Sequence, residues 1–206
     1  VLYLTEEYKS DKLQGKSVFY HPNGKVDTEI EYKDNERHGL YKRYAEDGTL
    51  MYQLRYDEGM KVGYSYLNKN SELVPEIPLP GGNGKLKAFY PNGNPSASME
   101  YIDGVLHGAY TMYHPNGKTS LSQQVVYDNT EGVSTQYYMD GKVRITHTYV
   151  HDSMHGPYKE YNAKGDLIEE GNYYDDSLHG EQRYYDDNGK LKQVRFYYFG
   201  LLLDKK

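Results

Sequence analysis

The chain has 206 residues, a net charge of −6, no cysteine, no tryptophan, and 26 tyrosines against 4 phenylalanines. Without cysteine there is no disulfide framework, zinc–thiolate centre or cysteine nucleophile, and the acidic balance argues against nucleic acid or an anionic membrane as the main partner. No stretch approaches the roughly 18 apolar residues of a membrane-spanning helix. A hydrophobic content of 37% that leans on tyrosine suits a thin sheet better than a thick core.

The first element belongs to a period. Glycine stands at 15, 39, 63, 84, 108, 132, 156 and 180, spaced by 24 residues except for one step of 21. Counting from this leading glycine, position +9 is again glycine (Gly24, Gly48, Gly93, Gly117, Gly141, Gly165, Gly189), with Glu72 in the remaining copy. Position +5 is aromatic at Tyr20, Tyr44, Phe89, Tyr113, Tyr137, Tyr161 and Tyr185, and +17 is tyrosine at 32, 56, 101, 149, 173 and 197. Tyr8 falls at +17 of a unit that starts before Val1, so residues 1–14 read as a half-repeat cap, and a chain opening on valine reads as one trimmed upstream. Repeats 1 and 2 occupy 15–62.

Each repeat reads as a hairpin. His21-Pro22-Asn23-Gly24 is a turn that needs positive φ, and Val26, Thr28, Ile30 and Tyr32 then alternate with Asp27, Glu29, Glu31 and Lys33, the period of a strand. A polar stretch such as Lys33–His38 leads to the next glycine. Residues 63–83 break the pattern: Pro75, Pro78 and Pro80 remove ladder donors, so the segment reads as a decayed third repeat carried as a loop, with a hinge as the alternative. Repeats 4 to 8 fill 84–200, and Leu201-Leu202-Leu203 opens a tail at 201–206 that caps the open sheet edge or marks a contact. The expectation is an all-β, elongated single-layer antiparallel β-meander of about eight hairpin repeats, with about 15 to 17 strands.

The run Tyr101-Ile102-Asp103-Gly104-Val105-Leu106-His107-Gly108-Ala109-Tyr110, followed by Asn116-Gly117, resembles the MORN repeat signature, and the 24-residue period is similar to a bacterial variant class. The resemblance spans about Tyr8 to Gly200. It implies an extended antiparallel sheet serving as an interaction or membrane-associated scaffold, and for the bacterial class an antitoxin of a toxin–antitoxin pair. The implied cell is bacterial, with envelope, secreted and cytoplasmic locations all open.

Chemistry beyond binding finds little footing. His38, His107, His155 and His179 each precede a leading glycine, yet equivalent positions of successive hairpins lie about 9.6 Å apart, too far for two imidazoles to share one zinc. They read as turn histidines that pack beside the glycine and hydrogen-bond a turn carboxylate. There is no Gly-x-Ser-x-Gly elbow, phosphate loop or His-Glu-x-x-His, and the turn Asp186-Asp187-Asn188-Gly189 fails the calcium-loop pattern. No catalytic, cofactor or metal residue is therefore expected, nor a cofactor. The two regular aromatic rows read as core, packed across the leading glycines. The tyrosines off those rows are the candidate binding face: Tyr41, Tyr66, Tyr90, Tyr110, Tyr138, Tyr158, Tyr174 and Tyr198. The expected function is a non-enzymatic scaffold that binds a protein partner through tyrosine; a carbohydrate or cell-envelope module is the alternative, and a homodimer through the sheet edges at Tyr8 and Leu201–Leu203 is compatible with either.

Overall fold

The computed structural model describes residues 3–186 and 188–205. Val1, the Asp187 of the last turn and the final residue of the 201–206 tail lie outside the described residues. The chain divides into two compact units, one comprising residues up to 106 together with 113–117, the other 107–112 together with 118 onward.

The first unit begins with the strands β1 (Leu4–Lys9), β2 (Lys12–Tyr20), β3 (Val26–Lys33), β4 (Glu36–Tyr44), β5 (Leu50–Asp57), β6 (Met60–Ser65) and the short β7 (Ile77–Pro78). These pair in chain order as one antiparallel sheet. A 3-10 turn at Pro80–Gly82 follows, then β8 (Gly84–Phe89), β9 (Pro95–Ile102) and β10 (Val105–Leu106), which belong to a different sheet. The expectation of one continuous layer is corrected here: β8 and β9 lie against β5 rather than beside β7. Tyr52, Leu54, Tyr56 and Tyr64 of the first sheet are buried, as are Leu86, Ala88, Ala97, Met99 and Tyr101 of the second. Ser96 reaches across to donate to the Met51 carbonyl at 2.7 Å.

The Pro-rich segment is thus a fold-back. Pro78 takes the last place on the ladder, opposite Gly63, where its missing N–H costs nothing. Leu79 turns inward and is buried, and Gly82, with φ +76, comes so close to the next turn that a Cβ would sit 2.6 Å from the Gly104 backbone. The pairing of β5 with β6 has also slipped by one residue relative to its neighbours: Leu54 faces Tyr64, at +1, where Ile30 faces Tyr41, at +2. That slip brings Tyr64 into the interior.

The second unit carries β11 (Gly108–Tyr113), β12 (Thr119–Val126), β13 (Asn129–Tyr137), β14 (Val143–Val150), β15 (Ser153–Tyr161), β16 (Leu167–Tyr174), β17 (Ser177–Leu178), β18 (Gly180–Tyr185), β19 (Leu191–Tyr198) and β20 (Leu201–Lys205). They follow one another as hairpins. Two of the short strands are fragments: β10 is separated from β11 only by His107, and β17 from β18 only by His179. The leucine tail does not fold over an edge, for β20 pairs with β19 as a further strand and Leu201, Leu202 and Leu203 stay exposed.

The repeat owes its geometry to two kinds of turn and a bulge. At one edge, four-residue turns close through the glycine at +9, as when the Gly24 N–H donates to the His21 carbonyl at 2.8 Å. At the other edge, two-residue turns at +19 and +20 hold both residues at positive φ, for example Asp34 (53°) and Asn35 (73°). Each is tied to the preceding turn, since the N–H at +20 donates to the carbonyl at −2: Asn35 to Leu13, Asp152 to Thr130, Asp176 to Met154, Gly200 to Leu178, at 2.8 to 3.1 Å.

The leading glycine forms the bulge. Gly39 has φ +88, and a Cβ there would meet Glu31 Oε2 at 2.2 Å; that carboxylate accepts the N–H of Leu40 at 2.8 Å. Glu7 does the same for Lys16 beside Gly15. The +17 tyrosine stands directly opposite its own leading glycine, Tyr56 across from Gly39 and Tyr173 across from Gly156. So the glycine leaves room for the side chain at +16 of the preceding hairpin, and the tyrosine row packs across it.

Candidate functional site

The eight tyrosines singled out in the sequence do not come together. Tyr41, Tyr110 and Tyr158 occupy +2, the inward row that elsewhere carries the buried Ser17, Leu86, Ser134 and Gln182. Tyr41 stacks on Tyr52 at 6.1 Å, and Tyr110 is half-buried on β11. Tyr158 is buried, donates its hydroxyl to Glu169, and stacks on His147 at 5.8 Å. Burial, then Glu169, pushes its phenol far up. Tyr66 packs on Phe89 at 5.4 Å.

Tyr90 and Tyr138 belong to the four-residue turns. The Tyr90 hydroxyl donates to the Tyr113 carbonyl at 2.8 Å and Tyr138 to the Tyr161 carbonyl at 2.7 Å, each tying its turn to the +5 residue of the next hairpin. His21 Nε2 lies 3.1 Å from the Tyr44 carbonyl in the same role. Tyr90 is only 2% exposed, so this tyrosine and Tyr158 are interior groups rather than parts of an accessible face. That is a correction to the candidate set: at Tyr90 a recurring inter-repeat hydrogen bond uses tyrosine where another repeat uses histidine, and Tyr158 fills the inward +2 row and bonds Glu169 of its own hairpin.

Only Tyr174 and Tyr198 are exposed members of the set, at 43% and 57%, and both lie at the two-residue-turn edge of the second unit. They sit in an aromatic cluster that the sequence reading missed. Phe199 packs edge-on against Tyr174 at 5.4 Å and Tyr198 at 4.7 Å, with interplanar angles of 87° and 82°. His179 lies 4.8 Å from the Phe199 ring, and His155 4.6 Å from Tyr174. Farther along the same edge His107 packs on Tyr127 at 4.9 Å.

Of the histidines before the leading glycines, His155 makes the expected hydrogen bond to a turn carboxylate, its Nδ1 3.1 Å from Asp175 Oδ1, while His38 Nδ1 stays 3.9 Å from Asp57, beyond hydrogen-bond reach. Elsewhere the side chain at −1 caps the next turn, as when Gln14, Asn83 and Glu131 accept the N–H groups of Asp34, Asp103 and His151. At His107 and His179 the cap is given up for a ring contact, the buried Nδ1 atoms have no hydrogen-bond partner, and the strand breaks at the histidine. The residues they face, Tyr127 (φ 50°) and Phe199 (φ 45°), are bulky side chains in a left-handed turn position that Asp, Asn or Gly fills at lower cost. A sequence signal existed: Phe199-Gly200 and Tyr127-Asp128 stand where Asp103-Gly104 and Asp34-Asn35 stand in other repeats.

On a strand face of the second unit, an open groove of about 300 Å³ is lined by Lys159, Glu170, Asn172 and Arg183 among others. Its charges are matched: Lys159 and Arg183 lie 3.4 and 3.7 Å from Glu170, and Arg183 2.6 Å from Glu181. The Tyr185 hydroxyl, 2.6 Å away, and then Lys159 hold the Glu170 carboxyl below its ordinary value. Among the described residues no group of three or more His, Asp or Glu side chains is placed to hold a metal ion.

A family model described as MORN repeat variant matches residues 13–34, 37–58, 83–103, 106–129, 154–175 and 178–197. The unmatched stretch between the fourth and fifth matches is nonetheless a full hairpin of β13 and β14. No curated protein matches the chain.

Proposed function

Because the chain belongs to the MORN repeat variant family, we propose that it is a non-enzymatic scaffold that holds a protein partner on a tyrosine-bearing surface. Repeats of this family are modules of protein or membrane interaction. One observation supports the protein reading most directly. Apart from Tyr8, the regular tyrosines are buried or half-buried, and Tyr90 and Tyr138 are tied up in inter-repeat hydrogen bonds, whereas Tyr127, Tyr174 and Tyr198 stay exposed along one edge. Tyrosine there offers rigid contact area at small entropic cost. The non-enzymatic part draws support from the matched charges of the open groove, where no carboxylate is isolated from its partners in the way an acid–base pair requires.

The test is a photo-crosslinking residue placed at Tyr174 or Tyr198 in the full chain, followed by identification of what is trapped. A specific protein is the expected result, and its binding to the chain without the cross-linker should be lost in a separate Tyr174→Ser/Tyr198→Ser variant. A strong glycan-array signal with no trapped protein would overturn the reading in favour of a carbohydrate module. The finer reading is an antitoxin, whose partner is a toxin held inactive. Co-expression with the product of the adjacent gene checks it: growth restored by this chain supports it, and growth unaffected by either protein removes it.

A further inference from the structure

We infer that the two-residue-turn edge of the second unit is a docking strip for a basic, amphipathic segment of a protein partner, a chemistry that rests on the scaffold reading and goes beyond it. The strip is continuous, because backbone hydrogen bonds from Asp152 to Thr130, Asp176 to Met154 and Gly200 to Leu178 bind each turn to the one before. Its tips carry exposed apolar surface: Tyr127 is 63% exposed and Phe199 51%, with Tyr174, Tyr198 and Leu201 beside them. Interspersed are Asp128, Glu131, Asp152, Asp175 and Asp176, and residues 126–131, 150–155, 174–179 and 198–203 contain no Lys or Arg at all. The first unit's turns at the corresponding positions carry Lys9, Lys12, Lys33, Arg37 and Lys61, with Lys12 paired to Asp34 at 3.1 Å. The first unit's edge therefore carries permanent cations, whereas on the second unit's edge carboxylates face histidines, His155 at 3.1 Å from Asp175 and His151 at 3.5 Å from Glu131.

Charge complementarity selects the occupant. A carboxylate-rich edge repels anionic lipid, and the rings stand edge-on to one another, so they offer no flat platform for a sugar. Arginine or lysine side chains suit it, with the cation over a tyrosine ring and near a carboxylate, and aliphatic groups against Phe199 and Leu201. Tyrosine rings already receive cations in this chain: Arg195 lies 4.5 Å from the Tyr184 centroid and Lys61 4.8 Å from that of Tyr101.

The experiment measures fluorescence anisotropy of the full chain with three synthetic peptides, alternating Arg/Leu, Glu/Leu and Arg/Ser, beside phosphatidylcholine vesicles. The Arg/Leu peptide alone should bind, at least tenfold more weakly after Asp175→Lys. Tyr127→Asn with Phe199→Asn should also weaken binding at least tenfold without lowering Tm, since asparagine suits the left-handed turn and any loss is then not one of folding. Glu58→Lys, on the first unit's edge, should change nothing. Equal binding of the Glu/Leu peptide, binding indifferent to the asparagine pair, or binding only to vesicles would overturn the inference. A partner cross-linked through another surface overturns it while the scaffold reading stands; no partner at any surface overturns both.

Discussion

The two units run the same 24-residue hairpin to different ends. In the first, the fold-back after Pro80 sets β8 and β9 on β5, and of the seventeen buried apolar side chains among the described residues fourteen lie in this unit, from Ile30 to Tyr101. In the second, the inward row at +15, filled by Ile30, Leu54 and Met99 in the first unit, becomes Gln123, His147, Gly171 and Arg195. The buried group at +2 of its last repeat is Gln182, whose Nε2 donates to the Asn172 carbonyl at 3.0 Å. Gly171 leaves the space that the Gln182 amide fills, so a polar group takes the place of an apolar one in this row.

The contrast can be broken most sharply at Leu86, which is 0% exposed. Leu86→Ala should cost about 2–5 kcal/mol by chemical denaturation, because the two layers cannot collapse onto the void. Next comes the bulge. Gly39→Ala forces a side chain into left-handed backbone and against Glu31, so a loss of about 1–3 kcal/mol is expected. Glu31→Ala in the same chain should recover part of it, a double-mutant coupling that would be absent if the glycine served φ alone.

A smaller pair compares the units through one shared hydrogen bond. Tyr90→Phe and Tyr138→Phe each remove a hydroxyl donor to a +5 carbonyl, at about 0.5–1.5 kcal/mol. The buried Tyr90 should lose more than the half-buried Tyr138, since water cannot replace its hydroxyl. Equal losses would show that the first unit's turn edge is wetter than its packing suggests.

The smallest effect is a slope. Burial beside Tyr158 and Tyr173 lowers the pKa of His147 below its ordinary value. The unfolded chain then takes up a proton at the usual histidine pH of about 6.5 while the folded chain resists it. Stability from this site is full above that pH and falls as the pH drops through the lowered value. His147→Gln should flatten the part of the stability–pH curve that lies just below about pH 6.5, and an unchanged curve would place the slope elsewhere.

Much of this was readable from the residues. The leading glycines, the tyrosines opposite them and the turns at Asn23-Gly24 announced the hairpins, because each position answers a local demand for a bulge, a packed ring or a tight turn. The proline segment announced a break, though not its direction, because whether β8 stacks on β5 or continues beside β7 depends on groups far apart in sequence. The candidate face was legible only in part. Tyr174 and Tyr198 lie on an exposed edge, but Tyr90, Tyr138 and Tyr158 were misread as free of structural duty. The bonds of Tyr90 and Tyr138 run to the next hairpin, and that of Tyr158 crosses its own hairpin to Glu169, so hydrophobic periodicity along the chain reveals none of them. Tyr127 went unnoticed because composition marks tyrosine as abundant, and the significance of both Tyr127 and Phe199 lies in a backbone angle.

By itself the sequence determined the repeat, the antiparallel pairing and the turns that carry glycine or asparagine, since these follow from those residues and from alternation acting over a few positions. Tertiary structure decided the rest. Which tyrosines are core, which link strands and which meet solvent depends on a fold-back and a register slip near Tyr64. Burial is a property of what packs above a residue, and in the first unit those neighbours come from another sheet.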